Sequence, residues 1–537
     1  MKKQFQRAEP YIFYFIVFLH CLPVLLFTFF ITHDGPAHVY NAYLIKDILF
    51  HHNTLTSTFF SLRSFPEPNW TGHALMVMLG FLWSPVHAER ILLLTYLILF
   101  PLAFRKSVRL TNPDSPMLSY LVFPFVFSYA FYGGLYNFML GIPILLFAML
   151  FLLKKNLPLR AVDLVFLFLI SMLIYFSHLL IFGIFVLLVP FILILKIKNQ
   201  SPAAESGIKK KLFITLWPVF LMLLPGLVLS IKFLFEKISL HATPSTSFSE
   251  NLFHDLAIVL PTIALDYIRE FKHGIIFGII LALLIVSAVF MQWKKRKIKT
   301  ENEKSGFNYS FFWLTAAVLM LAGYLFIPDN FATGGVVKVR FSYFFFLFLI
   351  LWLATQKIPK EMINVSAAIV ILLSCARLYH FAKSSKQLNK DAVVFYSATE
   401  LIEPNSIVLP LNYSSNWMHS NLSNYLGTDK HIIILDNYEA GREHFPLAWR
   451  TNMNPGGLLG SFNGTVPLCA DVSAFENGST KKIDYIVLWK NDNELKDSCS
   501  MQIQLTIRNK YQLVFKSLDK QLYMYKRADK NSGQTIF

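Results

Sequence analysis

The chain has 537 residues, 55% of them hydrophobic and only 15% charged, with a formal net charge of +17. A mean hydropathy of +0.49 excludes a purely soluble protein. The positive charge does not point to nucleic acid, because the basic residues sit in short clusters between apolar runs: Lys2, Lys3 and Arg7; Arg105, Lys106 and Arg109; Lys154, Lys155 and Arg160; then 196–211, 294–299, and Lys357 with Lys360. Such clusters mark the cytoplasmic ends of membrane spans.

In chain order, runs able to cross a bilayer core of about 30 Å are expected at 11–31, 88–104, 117–131, 136–153, 160–176, 179–197, 212–232, 274–292, 308–327, 340–356 and 361–380. The first follows a basic start, as a signal peptide would. It is long for one, and Thr32-His33-Asp34 follows where a small-residue cleavage site would stand, so it reads as a retained span. The run at 70–84 reaches only about 22 Å as a helix. Counting it as a span would put every later basic cluster on the wrong side, so it reads as a surface-lying helix. The result is a polytopic α-helical membrane protein of about eleven transmembrane helices. Its N-terminus is cytoplasmic and its C-terminus lies outside.

This topology turns outward the loops 32–87 and 233–273, the turns at 132–137 and 177–178, and the segment 328–340. In the first loop Pro36 suits a helix start. Val39, Tyr40, Tyr43, Leu44 and Ile48 then give a broad apolar face, expected to lie in the membrane interface. The loop at 233–273 carries Glu236, Glu250, Asp255, Asp266, Arg269, Glu270, Lys272 and His273 around an apolar stretch at 256–265.

After residue 382 no run is long enough to span. Residues 383–537 read as a soluble, periplasmic α/β domain: a helix at 391–401 ended near Pro404, then strands at 406–411, 431–435, 485–489, 511–516 and 521–525, the last two a hairpin. Cys469 and Cys499 both fall here; they can pair in an oxidising compartment or stay as two thiols. No GxGxxG, P-loop, HExxH or CxxC pattern occurs, so neither a nucleotide nor a zinc site has a motif behind it.

A few residues can carry chemistry. Asp34 stands at the outer end of the first span, beside His33 and four residues before His38. A carboxylate there can act as a general base, or it can simply cap the helix that begins at Pro36. Lys338 and Arg340 enter the tenth span from outside. A guanidinium at the mouth of a span can hold two phosphate oxygens, or it can snorkel to the interface. Asn137 and His178 occupy tight outward turns where polar groups can line a cavity, and Asp266 and Glu270 are placed to do the same. The run Asp436-Asn437-Tyr438-Glu439 follows a strand and reads as a solvated turn.

Taken together, these features resemble the GT-C glycosyltransferases of bacteria, the group that includes dolichyl-phosphate-mannose-protein mannosyltransferases and related polyprenyl-phosphate-sugar transferases. The resemblance covers most of 1–380. Asp34 after the first span looks like the family's catalytic base. Pro68-Asn69-Trp70-Thr71-Gly72-His73, an apolar helix, and Ala88-Glu89-Arg90 are similar to its loop leading into the second span. Arg340-Phe341 resembles its Arg-Tyr element near the lipid phosphate.

Where many members carry a second acid after the third span, this chain has Tyr136-Asn137-Phe138, and the prolines that follow the Arg-Tyr element are missing. The first departure argues against a metal held by paired carboxylates and against a diphosphate donor. The resemblance implies transfer of a sugar, with inversion, from a polyprenyl monophosphate to a glycan, lipid or protein acceptor. Asp34 would be the base, and Arg340 with Lys338 would hold the phosphate. No nucleic acid and no cofactor is implied, and a divalent metal is left open. A lipid or polysaccharide transporter and a non-catalytic envelope assembly protein are the alternatives.

Overall fold

The structure is a computed structural model that describes residues 2–63, 67–200, 205–238, 259–296, 307–330, 334–460, 462, 469–490 and 498–528. In chain order its main helices are α1 (Lys2–Leu26), α2 (Gly35–Lys46), α3 (Thr71–Leu79), α4 (Pro85–Thr111), α5 (Tyr136–Lys154), α6 (Ala161–Ser177), α7 (Leu179–Gln200), α8 (Glu205–Ile238), α9 (Tyr267–Arg296), α10 (Tyr309–Phe326), α11 (Val337–Ala354) and α12 (Lys360–Ala398). Among the described residues nine helices are long and apolar enough to cross a membrane, and two shorter apolar segments, Pro116–Tyr132 and Ala161–Ser177, match the two remaining expected spans. The chain is thus a multi-pass membrane protein. At nine residues, α3 extends only about 14 Å and cannot cross. Residues 239–258, with Glu250, Asp255 and most of the expected apolar stretch of the outer loop, lie outside the described residues.

The chain divides into two compact units. The first comprises 1–22, 66–71 and 94–381; the second comprises 23–65, 72–93 and 382–537. In the first unit the expected span at 117–131 is not one helix. A 3-10 turn, Pro116–Val122, passes into two four-residue helices, Phe123–Val126 and Tyr129–Tyr132. The break leaves carbonyls without helical partners, which a membrane cannot hydrate. Side chains satisfy them: Arg377 Nη1 donates to Pro124 O (2.7 Å), Arg377 Nη2 to Phe127 O (3.1 Å), and the Tyr343 hydroxyl to Phe125 O (3.0 Å). At the N-terminus of this unit's helix α1, Glu9 forms a bidentate pair with Arg105, 2.7 Å at each contact, and both side chains are buried.

The second unit contains the tail and much of the segment 32–87. Its five-stranded sheet runs β3 (Ile432–Ile434), β2 (Ser406–Asn412), β5 (Tyr485–Trp489), β7 (Leu522–Arg527), β6 (Tyr511–Lys516). The pairs β3–β2 and β2–β5 are parallel, and β5–β7 and β7–β6 antiparallel. These are the five strands expected from sequence. The short β1 (Phe60–Leu62) and β4 (Leu447–Trp449) form a separate antiparallel pair that sequence reading did not expect. Cys469 and Cys499 are joined by a disulfide, with Cα atoms 4.8 Å apart, inside the usual range.

Three expectations are corrected. The helix at 391–401 is not separate, because Lys360–Ala398 is a single 39-residue helix; no proline or glycine interrupts it before Pro404. The first span ends at Leu26 rather than near Ile31, and the Arg90 guanidinium takes the carbonyls just beyond, Phe27 O at 2.8 Å and Thr28 O at 2.9 Å. Finally, the apolar face of α2 does not lie in a membrane interface. Val39, Tyr40 and Leu44 are buried in the second unit, where the Tyr40 hydroxyl donates to Ile432 O (2.7 Å) and accepts from Ile434 N (3.0 Å). Gly427 is required there, since a Cβ would strike the Tyr40 ring.

Candidate functional site

After α1 the chain runs without regular structure to Asp34, which occupies the N-cap position of α2. Residue type suggests a cap, yet the Asp34 side chain makes no capping hydrogen bond. Thr32 does that work: its hydroxyl accepts from Gly35 N at 3.1 Å. The Asp34 carboxylate is therefore turned to other partners. His33 Nε2 lies 3.6 Å from Oδ1, and Asn421 Nδ2 lies 3.5 Å from the same oxygen while donating to His33 O at 2.8 Å.

The Tyr438 phenol faces the carboxylate, and its own ionisation is pushed far up by burial and by Asp34 and Glu439. Because a carbonyl can only accept, the 2.8 Å contact of His33 Nδ1 with Trp417 O assigns a proton to Nδ1. Burial pushes the Asp34 carboxyl above its usual range; His33 and His38 pull it back only in part, and Glu439 adds to the rise. The side chain is still 15% exposed, so it is not sealed from a ligand.

One turn into α2, His38 meets residues far away in sequence. Its Nδ1 lies 2.6 Å from Glu439 Oε1, His73 Nε2 lies 3.1 Å from Glu439 Oε2, and the two ring nitrogens are 3.4 Å apart. Asn41 Nδ2 donates to Glu439 Oε2 at 2.6 Å and exchanges a second bond with Asn437, whose Nδ2 donates back to Asn41 Oδ1 at 2.6 Å. Burial pushes the Glu439 carboxyl up, but the two histidines more than offset it and hold it at about 2. Two imidazole nitrogens and a carboxylate within 4.8 Å of one another are a donor set that suits a divalent cation. His38, His73 and Glu439 are the residues that could hold one.

Sequence reading placed His38 beside Asp34 but could not assemble this cluster, since His73 is 35 residues from His38 and 366 from Glu439. It also read 436–439 as a solvated turn. Asp436, Asn437 and Glu439 are buried instead. Burial pushes Asp436 up to about 7, against the pull of a hydrogen bond from the Ser423 hydroxyl. The Ala88-Glu89-Arg90 motif is structural within this unit: Glu89 accepts from the Tyr425 hydroxyl at 3.1 Å, and Arg90 holds the chain after α1.

The other singled-out residues belong to the first unit. Arg340, in the first turn of α11, places its guanidinium 5.6 Å from the Phe138 ring, and His178 packs edge-on to the same ring at 5.3 Å. Asn137, next to Phe138 in the chain, donates to Asn69 O at 2.9 Å, while Trp70 N bonds Phe176 O at 2.8 Å. The structure thus brings Arg340, Asn137, His178 and the 67–71 loop into one neighbourhood. Lys338 points elsewhere, with Nζ 5.8 Å from the Tyr324 ring.

Glu270 is buried and accepts from Ala264 N (2.8 Å), Leu265 N (2.7 Å) and Asp266 N (2.7 Å), with Arg377 Nη2 at 3.5 Å. Asp266 pairs with Arg269 at 3.2 Å. Asp34, His33 and His38 lie in the second unit.

No protein-family model matches the chain, and no curated protein matches it. Among solved structures, it is similar to ArnT from Cupriavidus metallidurans bound to undecaprenyl phosphate, at 9% identity and TM-score 0.40, over 98% of this chain and 99% of that one. It is similar also to the apo state of the same protein, at 10% identity and TM-score 0.40, over 97% and 98% of the two chains.

Proposed function

We propose that the chain is an integral membrane glycosyltransferase of the GT-C type, moving a sugar from a polyprenyl monophosphate to a glycan, lipid or protein acceptor outside the cytoplasm. The observation that carries this reading is Asp34, an acid at the outer end of the first span whose carboxylate is relieved of capping by Thr32 and made more basic by burial. A base poised nearer to neutral pH is a better proton acceptor at that pH. The donor class rests on the sequence resemblance, and half-buried Arg340 at the start of α11 supplies the cation such a donor needs.

In this mechanism the acceptor hydroxyl gives its proton to an Asp34 carboxylate oxygen as its own oxygen bonds to the anomeric carbon. The bond from that carbon to the phosphate oxygen breaks on the opposite face, the electron pair leaves with the phosphate, and configuration inverts. Arg340 neutralises the charge growing on the leaving phosphate, an electrostatic contribution of the usual large kind. Asn137 and His178 share the neighbourhood of Arg340 in the first unit. Glu270, committed to three backbone N–H groups, braces rather than reacts. Residues 1–382 are the membrane catalytic domain, and 383–537 a domain on the periplasmic side of a bacterial inner membrane. The Cys469–Cys499 disulfide supports that compartment.

The test is incubation of purified protein with a panel of polyprenyl-monophosphate sugars and extracted envelope acceptors. Transfer from one donor of the panel is expected. Transfer from a nucleotide sugar, with none from the panel, would sink the reading.

A further inference from the structure

Between α2 and α3 lies a cleft of about 250 Å³ that the proposed chemistry does not use. Val39 and Lys46 come from one helix and Met76 and Val77 from the other; Trp83 and Asp429 complete the lining. The cleft is amphipathic. Lys46 Nζ donates to Gly80 O at 2.7 Å and sits 4.8 Å from the Phe81 ring, which occupies one of its three N–H donors. Asp429 is exposed, and its carboxylate accepts from the Tyr396 hydroxyl.

Beside the mouth is an apolar shelf of exposed side chains, Phe50, Met78, Phe81, Leu82 and Trp83, with the Phe50 and Phe81 rings edge to face at 5.0 Å. Large exposed apolar groups packed together mark an interaction surface. The occupant is indicated by chain position: α4, long and apolar enough to cross a membrane, begins at Pro85, two residues after Trp83. The shelf is therefore where this chain enters the bilayer, and tryptophan is the residue type that favours that depth.

We propose that this cleft binds the head group of a zwitterionic membrane phospholipid bearing a primary amine, with its phosphate on Lys46, its ammonium on Asp429 and its chains along the shelf. The charge pattern selects the class. A purely anionic head group would satisfy Lys46 and meet Asp429 with nothing to pair it. A trimethylammonium group has no N–H to donate to a carboxylate, whereas a phosphoethanolamine head group answers both ends. The volume admits a head group and leaves the acyl chains outside.

The test uses the full chain in detergent, given equal amounts of phosphatidylethanolamine, phosphatidylcholine and phosphatidylglycerol, with retained lipid read by native mass spectrometry. Wild type is expected to retain phosphatidylethanolamine in preference to the other two. Lys46→Gln should lower retention of that lipid about tenfold, the loss of one charge-assisted hydrogen bond. Asp429→Asn, a change at an exposed position that leaves the fold intact, should lower phosphatidylethanolamine to the level of phosphatidylglycerol and leave phosphatidylglycerol unchanged.

Equal retention of all three lipids by wild type overturns the proposal, as does an Asp429→Asn protein that keeps its preference. Soluble glycerophosphoethanolamine competing as well as the lipid would show a site for a free phosphoester and equally overturn it. If Lys46→Gln does not fold, Lys46→Arg should retain the lipid and Asp429→Asn still decides the outcome.

Discussion

Glu270 and Asp34 are both acids near one end of a long apolar helix, and the protein treats them in opposite ways. Glu270 spends its carboxylate on three backbone N–H groups at the start of α9, and Arg377 pairs with it while also holding the carbonyls of the broken 116–132 segment. Asp34 stands at a helix start that another residue caps, and its carboxylate meets side chains rather than backbone N–H groups: the Tyr438 hydroxyl, Asn421 at 3.5 Å and His33 at 3.6 Å. A buried acid whose lone pairs are all used is a fastening. One that is buried without backbone N–H partners is raised in basicity and ready to take a proton.

The contrast can be broken first at the fastening. Glu270→Gln removes the charge facing Arg377, leaving a buried guanidinium uncompensated. A loss of about 3–5 kcal/mol in stability is expected, read as a lowered melting temperature of the purified protein; an unchanged melt would mean that Glu270 is not structural. Next is Arg340→Ala, which leaves its surroundings half exposed and should melt like wild type. It is expected to lose about tenfold or more in donor use, with rate and donor affinity falling together. A fall in rate with affinity intact would place the phosphate elsewhere.

A smaller effect concerns the cluster on α2. Dialysis against a chelator is expected to lower the melting temperature by a few degrees, restored by zinc in wild type but not in His73→Ala. No change would leave His38, His73 and Glu439 as ion pairs alone.

The smallest effect is in pH. The Asp436 carboxyl is held up at about 7 against an ordinary 3.8. A raised acid contributes stability that is fully present below the unfolded value and is lost as pH rises through the folded one. The melting temperature should therefore decline as pH rises from 3.8 toward about 7 and level off above it, and Asp436→Asn should flatten that decline. A slope unchanged by the substitution would assign it to another group.

Much of the membrane part was legible because crossing a bilayer imposes length and apolarity together, and hydropathy reads both. The strands of the tail were legible for a similar reason, as Ile432–Ile434 and Tyr485–Trp489 are fully buried runs of β-branched and aromatic residues. Local pattern failed where a distant residue decides. Nothing around Phe127 announces a broken segment, because the partner of its carbonyl, Arg377, is 250 residues away. The β1–β4 pair and the His38–His73–Glu439 cluster escaped for the same reason.

Asp34 was ambiguous on different grounds. Its type and position fit a cap, and only the geometry of Thr32 shows that the cap is already made. The sequence also read α2 as interfacial, since a helix face buried under a sheet carries the same apolar pattern as one lying on lipid.

The account stands most directly on one measurement: single-turnover transfer by Asp34→Asn protein preloaded with donor. Asparagine keeps the size and shape of the side chain while removing its charge and its ability to take a proton, and no capping bond is lost because the aspartate makes none. The predicted result is wild-type melting and donor binding, with transfer slowed by about 10²–10⁴-fold, the usual contribution of a positioned base. Transfer at close to the wild-type rate would contradict the central claim and return Asp34 to the structure of the helix start.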